Sequence, residues 1–139
     1  MKRFFSSLLC VTVGLSFQLS AKDYVITSGG VKNDSTKVQT AAIQKVIDRA
    51  EAEGGGRIVV PKGTFLTGAL FFKPGTTLHL NEGACIKGSD DIADFPLIPS
   101  RMEGRSIYYH AALINAYHVD GFQITGPGMI NGNGLKYWK

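Results

Sequence analysis

Asp90 and Asp91 adjoin in the run Gly88-Ser89-Asp90-Asp91, and Asp94 follows three residues later. Paired carboxylates do acid–base work in many hydrolases, and clustered ones hold calcium. The flanking glycine and serine suit another task, since aspartate in a tight turn accepts hydrogen bonds from its own backbone. The spacing matches no calcium loop, and on these residues alone catalysis and turn-ordering by Asp90 and Asp91 both stay open. His79, His110 and His118 stand in Leu-His-Leu, Tyr-His-Ala and Tyr-His-Val. His79 and His118 alternate with apolar neighbours and read as outward strand positions. No cluster has metal-ligand spacing, and neither a metal nor a cofactor is expected. Gly54-Gly55-Gly56 has the composition of a phosphate cradle, but a cradle needs a strand before it and a helix after it, and the order here is reversed.

The elements that hold these groups can be read from spacing. Thr36 to Glu53 places Val38, Ala42, Ile43, Val46, Ile47 and Ala50 on one helical face. Asp34, Ser35 or Thr36 is expected to cap it, with Thr36 and Gln39 at capping-box spacing. The glycine triplet stops it. Beyond it the chain repeats. Val60 to Gly68 lies over Leu80 to Gly88, a step of 20, and Ile124 to Gly132 forms a third copy a further 44 along. Short strands and glycine turns at a period near 20, with no helix inside the repeat, predict a β-solenoid whose aliphatic residues stack in a column. The helix before it is expected to cover the open end. The longer third step implies an insertion, Ser89 to His110, projecting from one side. It is the most polar and aromatic part of the chain.

Composition bounds the function. The chain has 139 residues, 17 of them glycine, and a formal net charge of +4. Lys2 and Arg3, an apolar Phe4–Leu19 and the Leu19-Ser20-Ala21 site predict a secretory signal peptide over residues 1–21, with residues 22–139 as one helix-capped domain. Cys10 belongs to the discarded segment, and the mature charge falls to +2. No basic run with interleaved aromatics supports nucleic-acid binding, and no stretch supports a stable membrane span. Cys85 is then the single mature cysteine, expected in the core. The location implied is periplasmic or extracellular.

Several segments resemble polygalacturonases, the pectin-degrading family 28 of the glycoside hydrolases. They are Thr40 to Asp48, Gly54 to Gly63, Gly68-Ala69-Leu70, Leu78-His79-Leu80, Gly88-Ser89-Asp90-Asp91 with Phe95-Pro96, Arg101-Met102-Glu103-Gly104, and Ile124 to Gly134 with Trp138. The resemblance implies an all-β, right-handed parallel β-helix, and hydrolysis of α-1,4-linked galacturonate with inversion. Inversion needs two carboxyls about 6.5–9.5 Å apart with a water between them. The family's catalytic segments are Asn-Thr-Asp, a later Asp-Asp pair, Gly-His-Gly and Arg-Ile-Lys; none occurs here, since Asp90-Asp91 matches the family's early non-catalytic Gly-Ser-Asp-Asp turn, and the resemblance thus implies that the pair orders a turn. The chain is therefore expected to hold the cap and first coils of a longer enzyme, monomeric at full length, with no catalytic residue of its own. Arg101, Glu103 and Arg105 are the candidate contacts to a polygalacturonate or pectin substrate, since arginine grips a carboxylate with two parallel bonds. An Arg–Glu network pinning the insertion is the alternative. Tyr108, Tyr109 and Trp138 can stack on sugars, but packing under the loop is the expected role. Competing functions are a non-catalytic polysaccharide-binding or adhesive module and a pectate lyase-like enzyme using calcium at Asp90, Asp91 and Asp94.

Overall fold

The computed structural model describes residues 21–138. The expected signal peptide lies outside them apart from Ala21, as do Cys10 and Lys139. The described chain contains strand β1 (Asp23–Val25), helix α1 (Thr40–Ala52) and strands β2 (Gly56–Val60), β3 (Gly63–Thr67), β4 (Leu70–Phe71), β5 (Thr76–Leu80) and β6 (Ala84–Gly88). Then come β7 (Leu97–Met102), β8 (Arg105–His110), β9 (Ile114–Asn115), β10 (Gln123–Thr125) and β11 (Met129–Asn131). The first two coils visit three parallel sheets in turn and the third adds a strand to two of them, the orders being β1-β2-β5-β10, β3-β6-β11 and β4-β9. Among the described residues only β7 and β8 pair antiparallel.

Stacking places like on like. Tyr24, Ile58, Leu78 and Ile124 form one inward column, and Phe65, Ile86 and Ile130 another. Phe72 packs on Phe122 at 4.7 Å between ring centroids. The first two coils bury their column fully, whereas Ile124 and Ile130 in the third are 49% and 39% exposed.

The registers refine the repeat. β2 pairs with β5 at a step of 20, as the sequence predicts. β3 pairs with β6 at 21, so Phe65, not Leu66, sits over Ile86. The cause is the turn, two residues long at Pro61–Lys62 and three at Asn81–Gly83. β11 pairs with β6 at the predicted 44, but β10 pairs with β5 at 46. The third coil gains two residues at the corner before β10 and loses two at the corner after it. The shortened corner runs against the coil above. Gly128 donates its N–H to the Leu80 carbonyl at 3.1 Å. A Cβ on it would stand 2.5 Å from the Leu80 Cβ and 2.8 Å from the Asn81 oxygen.

The helix starts later than predicted, at Thr40, and Val38 is exposed. No capping box forms. The Gln39 side chain instead makes two bonds to the Lys32 backbone, at 2.7 and 2.6 Å, while Asp34 closes a local turn onto Thr36. Ile43, Val46, Ile47 and Ala50 face the column as expected. The glycine stop is a Schellman motif: Gly54 N–H bonds the Glu51 carbonyl at 3.0 Å and Gly55 N–H bonds Ala50 at 2.7 Å.

The cap also covers strand edges. β1 pairs with the upper edge of β2. Gln44 exchanges two hydrogen bonds with Phe71 of β4, at 2.8 and 2.9 Å. Thr40 Oγ1 accepts from Gly68 N–H at 2.7 Å, and Asn33 accepts from Thr64 N–H at 3.2 Å. Edges left open in this way would recruit other strands.

Candidate functional site

The insertion is a β-hairpin. Glu103 and Gly104 both have positive φ, 49° and 81°, between the paired Met102 and Arg105. That is the two-residue turn whose twist matches paired strands. Its root is the Asp turn. Asp91 caps the short turn Ile92–Asp94 by accepting from Ala93 N–H at 2.9 Å, and Asp94 accepts from the Ser89 hydroxyl. Asp91 and Asp94 are therefore occupied in ordering the turn. Asp90 lends its carbonyl to Lys136 and Tyr137 at 3.2 and 2.9 Å. Among the described residues no three His, Cys, Asp or Glu side chains gather as a metal site. At the root His110 Nδ1 lies 2.7 Å from the Phe95 carbonyl. A carbonyl only accepts, so Nδ1 carries the proton.

Strand alternation divides the three candidate contacts. Leu97, Pro99, Arg101, Ser106, Tyr108 and His110 share one face by their pairing, and Ile98, Ser100, Met102, Arg105, Ile107 and Tyr109 share the other. Arg101 and Arg105 thus point to opposite sides, and Glu103 sits in the turn. None of the three makes an ion pair among the described residues. Arg101 reaches only the Gly104 carbonyl, at 3.4 Å. Tyr108, which shares the face of Arg101, is 73% exposed. It pairs with Pro99, so it and Arg101 are diagonal neighbours, within reach of side chains this long.

The packing role expected for Tyr108, Tyr109 and Trp138 is not what the structure shows. All three are exposed, Trp138 at 87%. Cys85 is not in the core either. It lies between buried Ala84 and Ile86 on β6, so alternation turns it outward and leaves it half-buried. His79 is an outward strand residue as expected, 2.7 Å from Thr125 Oγ1. His118 is not in a strand. It sits in the lengthened corner at φ 50°, its ring edge-on to Tyr117. Sequence reading missed this corner, because its two extra residues are cancelled by the next corner and total spacing hides them. The hairpin leads into β9 and the Tyr117–His118 corner leads out of it, so the two projections flank the short β4–β9 sheet.

A concavity of about 250 Å³ lies at the cap beside Lys22, Tyr24, Lys45 and Arg49. Two of its cations, Lys22 and Arg49, are engaged. Glu53 accepts from Lys22 at 2.6 Å, from Tyr24 at 2.7 Å and from Arg49 at 3.1 Å. These bonds, led by that of Lys22, hold the Glu53 carboxyl at about 2. The cluster is a structural tie between β1 and the helix end.

No protein-family model matches the chain. A curated relative from Dickeya chrysanthemi, named exo-poly-alpha-D-galacturonosidase, is 41% identical over 119 residues, which is 80% of this chain. Among solved structures, the hyperthermoactive exopolygalacturonase of Thermotoga maritima shares 28% identity and a TM-score of 0.76 over 84% of the chain. The family 28 exopolygalacturonase of Yersinia enterocolitica shares 32% and 0.74 over 82%. The chain spans 19% of the first, 26% of the second and 21% of the third. The right-handed parallel β-helix expected from the sequence is the fold of this chain, and among the described residues no helix is long and apolar enough to cross a membrane.

Proposed function

We propose that this chain, which resembles the N-terminal part of polygalacturonases, serves as the cap and first coils of an exported glycoside hydrolase that cleaves α-1,4-galacturonosyl bonds with inversion. In this role it binds polygalacturonate and leaves bond cleavage to carboxylates outside these residues. What carries the proposal is the exposed Arg101–Tyr108 face of a hairpin that borders the short β4–β9 sheet. Tyrosine offers a ring for a sugar face, and arginine a fork for a uronate carboxylate. The three aspartates of the turn supply no acid–base pair, because Asp91 and Asp94 already hold the hairpin root.

Binding of a galacturonate oligomer to the purified chain tests this. Arg101→Ala or Tyr108→Ala should weaken it by roughly ten-fold, the loss of one charge-assisted or stacking contact. Arg105→Ala, on the other face, should change it little. Equal losses from Arg101 and Arg105 would remove the assigned face. The chain should release no reducing ends from polygalacturonate, and turnover by clean material would overturn the external placement of the carboxylates. Reading the gene past the codon for Lys139 should find Asn-Thr-Asp, Asp-Asp, Gly-His-Gly and Arg-Ile-Lys in frame.

A further inference from the structure

The hairpin has two outer edges of different character. Ala111 N–H donates to the Pro96 carbonyl at 2.8 Å, which sets that pair as hydrogen-bonded. Antiparallel pairs alternate, so Ile98–Tyr109, Ser100–Ile107 and Met102–Arg105 are also bonded, while Leu97–His110, Pro99–Tyr108 and Arg101–Ser106 turn their backbone groups outward. The last bonded pair, Met102–Arg105, flanks the two-residue turn as that turn requires. Pro99 therefore removes the N–H from the middle of the outer edge of β7, a standard block to strand addition. β8 has no such block. Its outer edge presents the N–H and C=O of Ser106, Tyr108 and His110. Among the described residues, none of these backbone groups is hydrogen-bonded to another element. A lone two-stranded ribbon is marginal in water, and this one exposes Leu97, Met102, Tyr108 and Tyr109.

We propose that the outer edge of β8 is a self-association edge, and that two copies of this protein pair β8 antiparallel about a two-fold axis at Tyr108. A two-fold perpendicular to the sheet keeps each face on its own side, so the partners must share a face. Centring on Tyr108 satisfies this. Tyr108 meets Tyr108 of the second copy, Ser106 meets His110, and both are pairs whose backbone groups point outward. Ile107 meets Tyr109, an aromatic–β-branched pair of the kind that stabilises sheets. Arg105 falls opposite Ala111, so no arginine faces its own copy. The product is a four-stranded sheet ended on both sides by Pro99. It replaces the monomer expected from the sequence and leaves the Arg101–Tyr108 face open.

Sedimentation of the full chain over a concentration series tests the edge. The unsubstituted protein should show a monomer–dimer equilibrium. Tyr108→Pro deletes an outward N–H and no bond within the hairpin, and should weaken association by about ten-fold or more. Tyr108→Ala keeps that N–H and should still dimerise, while weakening sugar binding. A monomer at all concentrations, or a dimer unchanged by Tyr108→Pro, would overturn the proposal. Either result leaves the Arg101–Tyr108 binding test standing on its own.

Discussion

Single residues in this fold act mainly by what they fasten. The Glu53 carboxylate takes hydrogen bonds from Lys22, Tyr24 and Arg49 and is held at about 2, below its ordinary 4.5. A depressed carboxyl stabilises the fold above its ordinary value, and that contribution is lost as pH falls toward the folded one. Glu53→Gln should therefore lower the unfolding midpoint at pH 7, and the gap from the parent should close as pH is taken from 4.5 toward 2. A gap independent of pH would mean packing, not charge, is what Glu53 supplies. Gly128 has a role of another kind. Any side chain there meets the Leu80 Cβ and the Asn81 carbonyl, so Gly128→Ala should cost roughly 1–3 kcal/mol by chemical denaturation. The Asp turn was legible as a turn in sequence because its residue types carry the hydrogen-bond chemistry locally. The outward position of Cys85 follows from alternation with Ala84 and Ile86, once β6 is known to be a strand. Composition alone, which favours buried cysteine, pointed the wrong way.

At the scale of elements, the helix is a lid held by both of its chemistries. Its apolar face closes the column, and Gln44 satisfies the Phe71 peptide groups that no strand covers. Gln44→Ala removes those partners and should destabilise by about 1–2 kcal/mol. Hydrogen exchange at Phe71 should speed up more than at Leu78, which is paired on both sides. The helix, its apolar face and its glycine stop were readable from spacing; its start was not. Gln39 is drawn to the Lys32 backbone, a contact across seven residues that no local capping rule contains. The hairpin was visible only as an insertion, since Glu103-Gly104 lacks the Asn-Gly or Asp-Gly signature of such turns. The division of Arg101 from Arg105 needed the register. Two residues four apart would share a face on one strand, but a two-residue turn between them puts them on opposite faces.

Across the whole molecule, what is fixed is the stacking of inward columns, while corner lengths are free. Deleting Tyr117 and His118 should return that corner to the length it has in the preceding coil and leave the thermal midpoint within a few degrees of the parent. A collapse of the midpoint would show that the corner is structural. The same freedom explains why a gapless overlay of the third copy misplaced β10 by two residues and still matched its hydrophobic pattern. A shift of two preserves the face. The sealed helix-capped end and the exposed underside of the third coil also set a direction in time. A ribosome delivers the cap first, so the growing solenoid has one live end from the start, and it is always the newest coil. Each addition closes a loop of some 20 to 46 residues onto a finished edge, never a contact across the full length. Pulse-labelled exchange during refolding should therefore protect Ile58 and Phe65 before Ile124 and Ile130, as a crystal grows from its seed.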